Sequence, residues 1–308
     1  MRGPCSNHLQ PNRISLMDLD TDFVLVTGAS GQIGRQVCSM LRARGTSVLP
    51  VDKDPDPGGV YCDVTSKELV ARLYREYPVR AVIHLAAVLP TIFHAAPLAG
   101  AEVNLTGSVN VLSSAASEGI RRFVFGSSLS VYGLLQPSGL AQEDNAVPDE
   151  PYGGSKRAVE LIGDNLARNG AIEFFSLRIA RVIGPGLGET TSSPWRSQIL
   201  EDGRHDTIRL PYAPEARLAL VHVEDVARML LILLDSANVQ HVSYNTVAEV
   251  WTAGELKELV ESVRRITVEL TQPYTHGGPI CDGALFAREF NFAITGLRDR
   301  LRIVARDA

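Results

Sequence analysis

Cysteine is scarce in this chain of 308 residues: Cys5, Cys38, Cys62 and Cys281 are widely spaced, and no two form a Cys-x-x-Cys pair. That scatter excludes a disulfide framework and a zinc ribbon, and it fits reduced thiols in a cytoplasmic protein. The seven histidines are dispersed as well, so no metal site is expected. Positive charge is not in excess. Thirty Lys and Arg stand against 35 Asp and Glu, for a net charge of −5, and no basic run is present to neutralise the phosphates of a nucleic acid. A run of about 18 apolar residues, the length that spans a membrane, is also missing. The most apolar segment, Ala227–Leu234, is far shorter. Residues 1–22 are polar and lack the apolar core of a signal peptide, so they are expected to form a disordered tail, with Met17 as an alternative natural start.

What is present begins with a strand and a turn. With 45% hydrophobic residues the chain can bury a large core, enough for a main domain and a smaller lobe. Phe23–Thr27 (FVLVT) is a β-branched apolar run of the kind buried on both faces of a parallel sheet. Gly28, Gly31 and Gly34 follow, and Gln32 and Ile33 open the helix expected over Gln32–Arg44. The spacing is wider than the usual dinucleotide fingerprint but serves the same purpose: a tight turn at Gly28, close approach of a pyrophosphate at Gly31, and helix–sheet packing at Gly34. Ser47–Asp52 reads as the second strand and ends in Asp52, 24 residues beyond Gly28, where a carboxylate binds the adenosine ribose and repels a 2′-phosphate. NAD is therefore favoured over NADP, although Lys53 softens the preference. Pro50 within that strand predicts a bulge or a shortened strand.

Further strands (GVYCD, AVIHLA, FVFGSS, AIEFFSLRIA) alternate with helices over Ser66–Tyr77 and about Pro97–Glu118, the pattern of an α/β doubly wound parallel sheet. Ligands bind beyond the carboxyl ends of such strands, where Asp52, His84, Ser127 and Ser128 fall. The last strand is expected to run to Arg181, followed by a long Gly/Ser/Thr/Pro-rich connection, GPGLGETTSSPW. Thr252 and Glu255 form a capping box that starts a helix near Ala253. In PYGGSK, Tyr152 and Lys156 stand at i and i+4, on one face of a helix. An ammonium beside a phenol favours the phenolate, so this spacing predicts a lowered Tyr152 pKa and a general base.

Taken in order, TGASGQIG, CDVTS, HLAAV, VNLTGSVNVL, SSLSVYG, PYGGSK, LRIARVIGPG, LVHVEDVAR and SYN resemble the extended short-chain dehydrogenase/reductases, the NAD-dependent epimerase/dehydratase family. The resemblance runs from about Phe23 to Leu301. It implies a Rossmann-like NAD-binding domain over residues 23–181 with segments near 218–246 returning to it, interleaved with a substrate-binding lobe over 182–308, and a homodimer. By the same resemblance Asp63 and Val64 meet the adenine, Leu85, Ala86 and Ala87 line the cofactor groove, and Asn104 sits behind the nicotinamide. Ser128, Tyr152 and Lys156 match the catalytic Ser-Tyr-Lys set.

The reaction implied is hydride transfer between NAD and a substrate C–OH, ending in epimerisation or in net oxidation. Dehydration is not expected, because the relatives' Asp-Glu pair after the Ser/Thr is replaced by Leu129 and Ser130. The substrate implied is a sugar or nucleotide sugar. The Arg that grips a diphosphate in those relatives is replaced by Leu218, with Arg217 one residue early, and Arg181 stands where many relatives carry Asn. A guanidinium there suits a carboxylate or phosphate, which keeps a dehydrogenase of a small hydroxy or sugar acid as the alternative. A third reading, a non-catalytic NAD(P)-binding sensor, is disfavoured by the intact Ser128, Tyr152 and Lys156.

Overall fold

The computed structural model describes residues 22–133, 146–186, 193–201 and 206–307. The expected N-terminal tail and part of the Gly/Ser/Thr/Pro-rich connection lie outside the described residues. The first half of the chain alternates strand and helix: β1 (Phe23–Thr27), α1 (Gln32–Ala43), β2 (Val48–Asp52), β3 (Val60–Tyr61), α2 (Lys67–Glu76), β4 (Val79–His84), α3 (Pro90–Ala95), α4 (Pro97–Ala101), α5 (Ser108–Ser117), β5 (Arg122–Ser128), α6 (Pro151–Arg168) and β6 (Glu173–Ile179). The second half adds β7 (Arg181–Ile183), α7 (Trp195–Gln198), β8 (Thr207–Tyr212), β9 (Arg217–His222), α8 (Val223–Asp235), β10 (Ser243–Asn245), β11 (Glu249–Thr252), α9 (Ala253–Arg264), β12 (Thr267–Tyr274), α10 (Ala284–Glu289) and α11 (Leu297–Asp307).

Seven strands form one parallel sheet in the order β10-β6-β5-β4-β1-β2-β3, the doubly wound arrangement that the strand–helix alternation requires. Both faces are covered, and successive residues of one strand feed different cores. Val24 and Val26 pack with Val37 and Leu41 of α1 and Val226 and Leu230 of α8. Leu25 and Val82 pack on the opposite face with Val70, Leu73, Val111 and Val159. A third core, built around Trp195, Tyr212, Leu218, Leu256 and Leu301, belongs to the second half of the chain. There β11, β9 and β7 make a small sheet and β8 pairs with β12. The capping box is formed, with Thr252 Oγ1 accepting the Glu255 amide at 3.1 Å, and α9 begins at Ala253.

Two local expectations need correction, and one helix carries an irregularity. Pro50 causes neither a bulge nor a shortened strand, since Val26 and Pro50 are in register within β1/β2. Val51 O accepts from Ala29 on the β1 side and Asp52 O from Cys62 on the β3 side. By alternation the position of the missing Pro50 N–H faces β3, where pairing starts only at Val51. The helix expected over 97–118 forms as one continuous run from Pro97 to Ser117, with a π-helical turn over Glu102–Gly107 between α4 and α5. Finally, β6 stops at Ile179, and Arg181 opens β7, which leaves the main sheet to pair with β9.

Candidate active site

The carboxyl ends of β1, β2, β4, β5 and β6 converge on a cavity of about 880 Å³. Its floor is the glycine turn. Gly28 adopts φ +67°, and a Cβ there would stand 2.7 Å from the Ala86 amide nitrogen, so this close crossing of β1 and β4 requires glycine. A Cβ on Gly34 would meet the Gly28 carbonyl at 2.1 Å, which is how the absence of a side chain seats α1 against the turn. Gly31 caps α1 without a side-chain acceptor, leaving the first-turn amides of Gln32 and Ile33 at the cavity wall. That is the arrangement a pyrophosphate needs.

Asp52 lines the same cavity at the end of β2. Its Oδ2 accepts the Ser30 amide at 3.1 Å and its Oδ1 the Asp54 amide at 3.2 Å, which fixes the carboxylate between turn and strand. Asp63, Val64, Leu85, Ala86 and Ala87 also line it. These residues together suit a dinucleotide: amides for its phosphates, a carboxylate for a ribose diol, and apolar walls for its rings.

The opposite wall carries Ser128, Tyr152 and Lys156. Ser128 ends β5, where its Oγ accepts the Ser130 amide at 3.2 Å, and its hydroxyl lies near enough to the Tyr152 phenol to favour the phenolate. Phe93 packs edge-on against the Tyr152 ring at 6.0 Å. Lys156 is buried one turn along α6; its Nζ donates to Gly126 O at 2.9 Å and lies 4.8 Å from the Phe125 ring centre. The helix is held in place by a buried ion pair one turn further on. Glu160 accepts from Arg178 at 3.0 and 2.9 Å and from the Ser127 hydroxyl at 2.6 Å, while Arg178 also donates to the Tyr132 hydroxyl at 2.7 Å.

The expected lowering of the Tyr152 pKa is reversed by the protein's own groups. Burial pushes the phenol up to about 12; the Ser128 hydrogen bond opposes this, and the Glu150 charge adds to it. The Lys156 ammonium is instead committed to Gly126 and Phe125, and burial brings its own pKa down to about 8, against the pull of Glu160.

Three sequence expectations land elsewhere. Asn104 is wholly buried in the π-helical turn, with Oδ1 accepting the Val88 amide at 2.8 Å and Nδ2 donating to the Val88 carbonyl at 3.0 Å. It ties down the loop after β4 and is not among the cavity-lining residues. His84 is likewise wholly buried, its ring nitrogens 2.6 Å from Thr27 Oγ1 and 2.9 Å from Ser108 Oγ, and burial brings its pKa down to about 3. Arg217, at the start of β9, does not line the cavity and lies near Glu255. Arg181 does line it, anchored by Nη2 donation to Gly277 O at 2.6 Å. Glu150, Arg196 and the Gly277–Pro279 segment were not anticipated; the Gly-Gly-Pro run and the Arg after Pro194-Trp195 were the available signals.

The family model of the NAD dependent epimerase/dehydratase family matches residues 24–246. The chain belongs to that family. Among relatives of this family member, mitochondrial L-threonine 3-dehydrogenase of Bos taurus is 27% identical over 278 residues, covering 82% of this chain and 72% of the relative. UDP-glucose 4-epimerase of Lactobacillus helveticus is 25% identical over 284 residues, covering 82% of this chain and 84% of the relative. The solved structure of Thermus thermophilus UDP-glucose 4-epimerase in complex with NAD superposes with a TM-score of 0.79 at 25% identity, covering 92% of this chain and 98% of that one. L-threonine dehydrogenase from Clostridium difficile shares the fold, with a TM-score of 0.81 at 19% identity over 93% of this chain and 98% of that one. NAD-dependent epimerase/dehydrogenase chemistry follows from this membership, and NAD is the cofactor. Among the described residues no helix is long and apolar enough to cross a membrane.

Proposed function

We propose that this family member oxidises a secondary alcohol of a sugar-type substrate through Ser128, Tyr152 and Lys156. The observation that carries this reading is that Ser128, Tyr152 and Lys156, the last two one turn apart on α6, line one wall of the cavity whose floor is the Gly28–Gly34 turn. When bound, NAD⁺ accepts a hydride from the substrate carbon and brings positive charge to the site. Gly31 and the first-turn amides of α1 hold its pyrophosphate, Asp52 its adenosine ribose and Lys156 its second ribose. Tyr152 takes the hydroxyl proton as that C–H bond breaks, and Ser128 donates a hydrogen bond to the same oxygen. Leu129 and Ser130 line the cavity where a dehydratase needs acids, so the keto product is either released or reduced again from its other face.

A second reading, a dehydrogenase of a small hydroxy or sugar acid, is favoured by one contrast. Arg181 lines the cavity, whereas Arg217, the nearest counterpart of a diphosphate-gripping arginine, does not. A homodimer is also part of this proposal, supported by the exposed apolar Leu161 and Ile162 on α6, and so is a cytoplasmic setting, supported by the free buried thiols of Cys38, Cys62 and Cys281. The test is NADH formation across neutral sugars, aldonates, uronates and UDP-sugars, with product stereochemistry determined for any substrate that turns over. Saturable NAD binding without turnover of any class would replace the enzyme reading with that of a sensor.

A further inference from the structure

Two arginines, Arg181 and Arg196, line the cavity, and among the described residues neither pairs with a carboxylate. Arg181 opens β7, two residues past Ile179, the register partner of Ser128. Its guanidinium lies over the Tyr212 ring at 5.4 Å and is pinned by Gly277 O, while its Nε is enclosed with no hydrogen-bond partner. Arg196, on α7, lines the same cavity, and its Nε is also enclosed without a partner. Trp195 next to it packs edge-on at 6.1 Å against Tyr212, the ring over which Arg181 lies. Burial, and then the Arg181 charge, push the Arg196 guanidinium below its ordinary pKa, the direction expected of two cations on one cavity wall. Among the described residues neither arginine has a carboxylate partner. Two like charges held together, each with an unmet donor, cost stability unless an anion joins them, and a guanidinium pair matches a planar carboxylate.

We propose that Arg181 and Arg196 together bind a carboxylate of the substrate, making the substrate a hydroxy acid or sugar acid anion oxidised close to its acid group. This rests on the reading of the cavity as the substrate site. The short run from Ser128 to Arg181 favours a carboxylate near the carbinol over a diphosphate set off by a whole sugar ring.

The test is calorimetric titration of the NAD-bound protein with D-gluconate, D-glucuronate and D-glycerate, each against its neutral counterpart (D-glucitol, D-glucose, glycerol), and with UDP. The expected result is saturable binding of at least one acid and not of its neutral counterpart. Its Kd should rise about tenfold or more in Arg196→Met and in Arg181→Met, and Arg196→Lys should recover part of the loss. Thermal melting of each variant establishes that it is folded, and Arg196→Lys keeps the charge if the Met variant does not fold. The proposal is overturned if no acid binds better than its neutral counterpart, or if binding is unchanged in folded Met variants. It is also overturned if UDP binds and depends on these arginines, which would assign the pair to a diphosphate. Turnover is not needed for this measurement. Tyr152→Phe should still bind the acid, so failure of the hydride-transfer reading would show separately, as unchanged turnover in that variant.

Discussion

The Glu150 carboxylate caps the helix that carries Tyr152, accepting the Tyr152 amide at 2.8 Å and the Gly153 amide beside it. The same group that starts α6 therefore sets a negative charge next to the phenol and raises its pKa. Glu150→Gln keeps an acceptor at the cap and removes the charge. The pH at which kcat rises should move down in this variant, as measured in a pH–rate profile; an upward move would contradict the assignment. Glu150→Ala loses the cap as well and should cost about 1 kcal/mol of stability.

Tyr152→Phe removes the proton acceptor and little else, because the Phe93 contact and the helix cap survive. Turnover should fall by a factor on the order of 10² or more, with NAD binding nearly unchanged. Turnover at the wild-type level would remove Tyr152 from the mechanism.

Asp52→Ala deletes the carboxylate that Ser30 and Asp54 hold at the end of β2. The ratio of kcat/KM for NAD to that for NADP should drop, since nothing of like charge then opposes a 2′-phosphate, and Lys53 on the same wall attracts one. A ratio unchanged by the substitution would show that another group sets cofactor choice.

Asn104→Ala strips the Val88 amide and carbonyl of their partners without touching the cavity. Each unmet buried group costs about 1–3 kcal/mol, so the melting temperature should fall. The Kd for NAD should rise, because the loop after β4 that lines the cofactor groove is no longer tied down. In saturating NAD, kcat should change much less than the Kd.

His84 is neutral when folded, with its pKa brought from 6.5 down to about 3 by burial and by the nearby Lys156 charge. A depressed folded pKa gives stability that is complete above pH 6.5 and is lost as the pH falls toward 3. Urea midpoints should therefore decline steadily from pH 7 to pH 4, and His84→Gln should flatten that slope while lowering stability at pH 7. An equally steep slope in the variant would assign the acid sensitivity to other groups.

Much of this protein is determined locally and can be read along the chain. The β-branched run Phe23–Thr27, the glycine spacing after it, the carboxylate ending β2 and the Thr252–Glu255 capping box all depend on near neighbours, and each forms where the pattern places it. Tyr152 and Lys156 share a helix face because four residues make about one turn. What the chain could not show depends on burial and on partners distant in sequence. The Tyr152 pKa goes up because desolvation in the folded wall outweighs the influence of Ser128, while the Lys156 ammonium is held by a carbonyl 30 residues away. Asn104 and His84 become supports because their partners, Val88, Thr27 and Ser108, come together only when β1, β4 and the π-helical turn pack. Arg181 reaches the cavity over Tyr212 because β7 leaves the main sheet to pair with β9, a change of sheet that no local periodicity encodes.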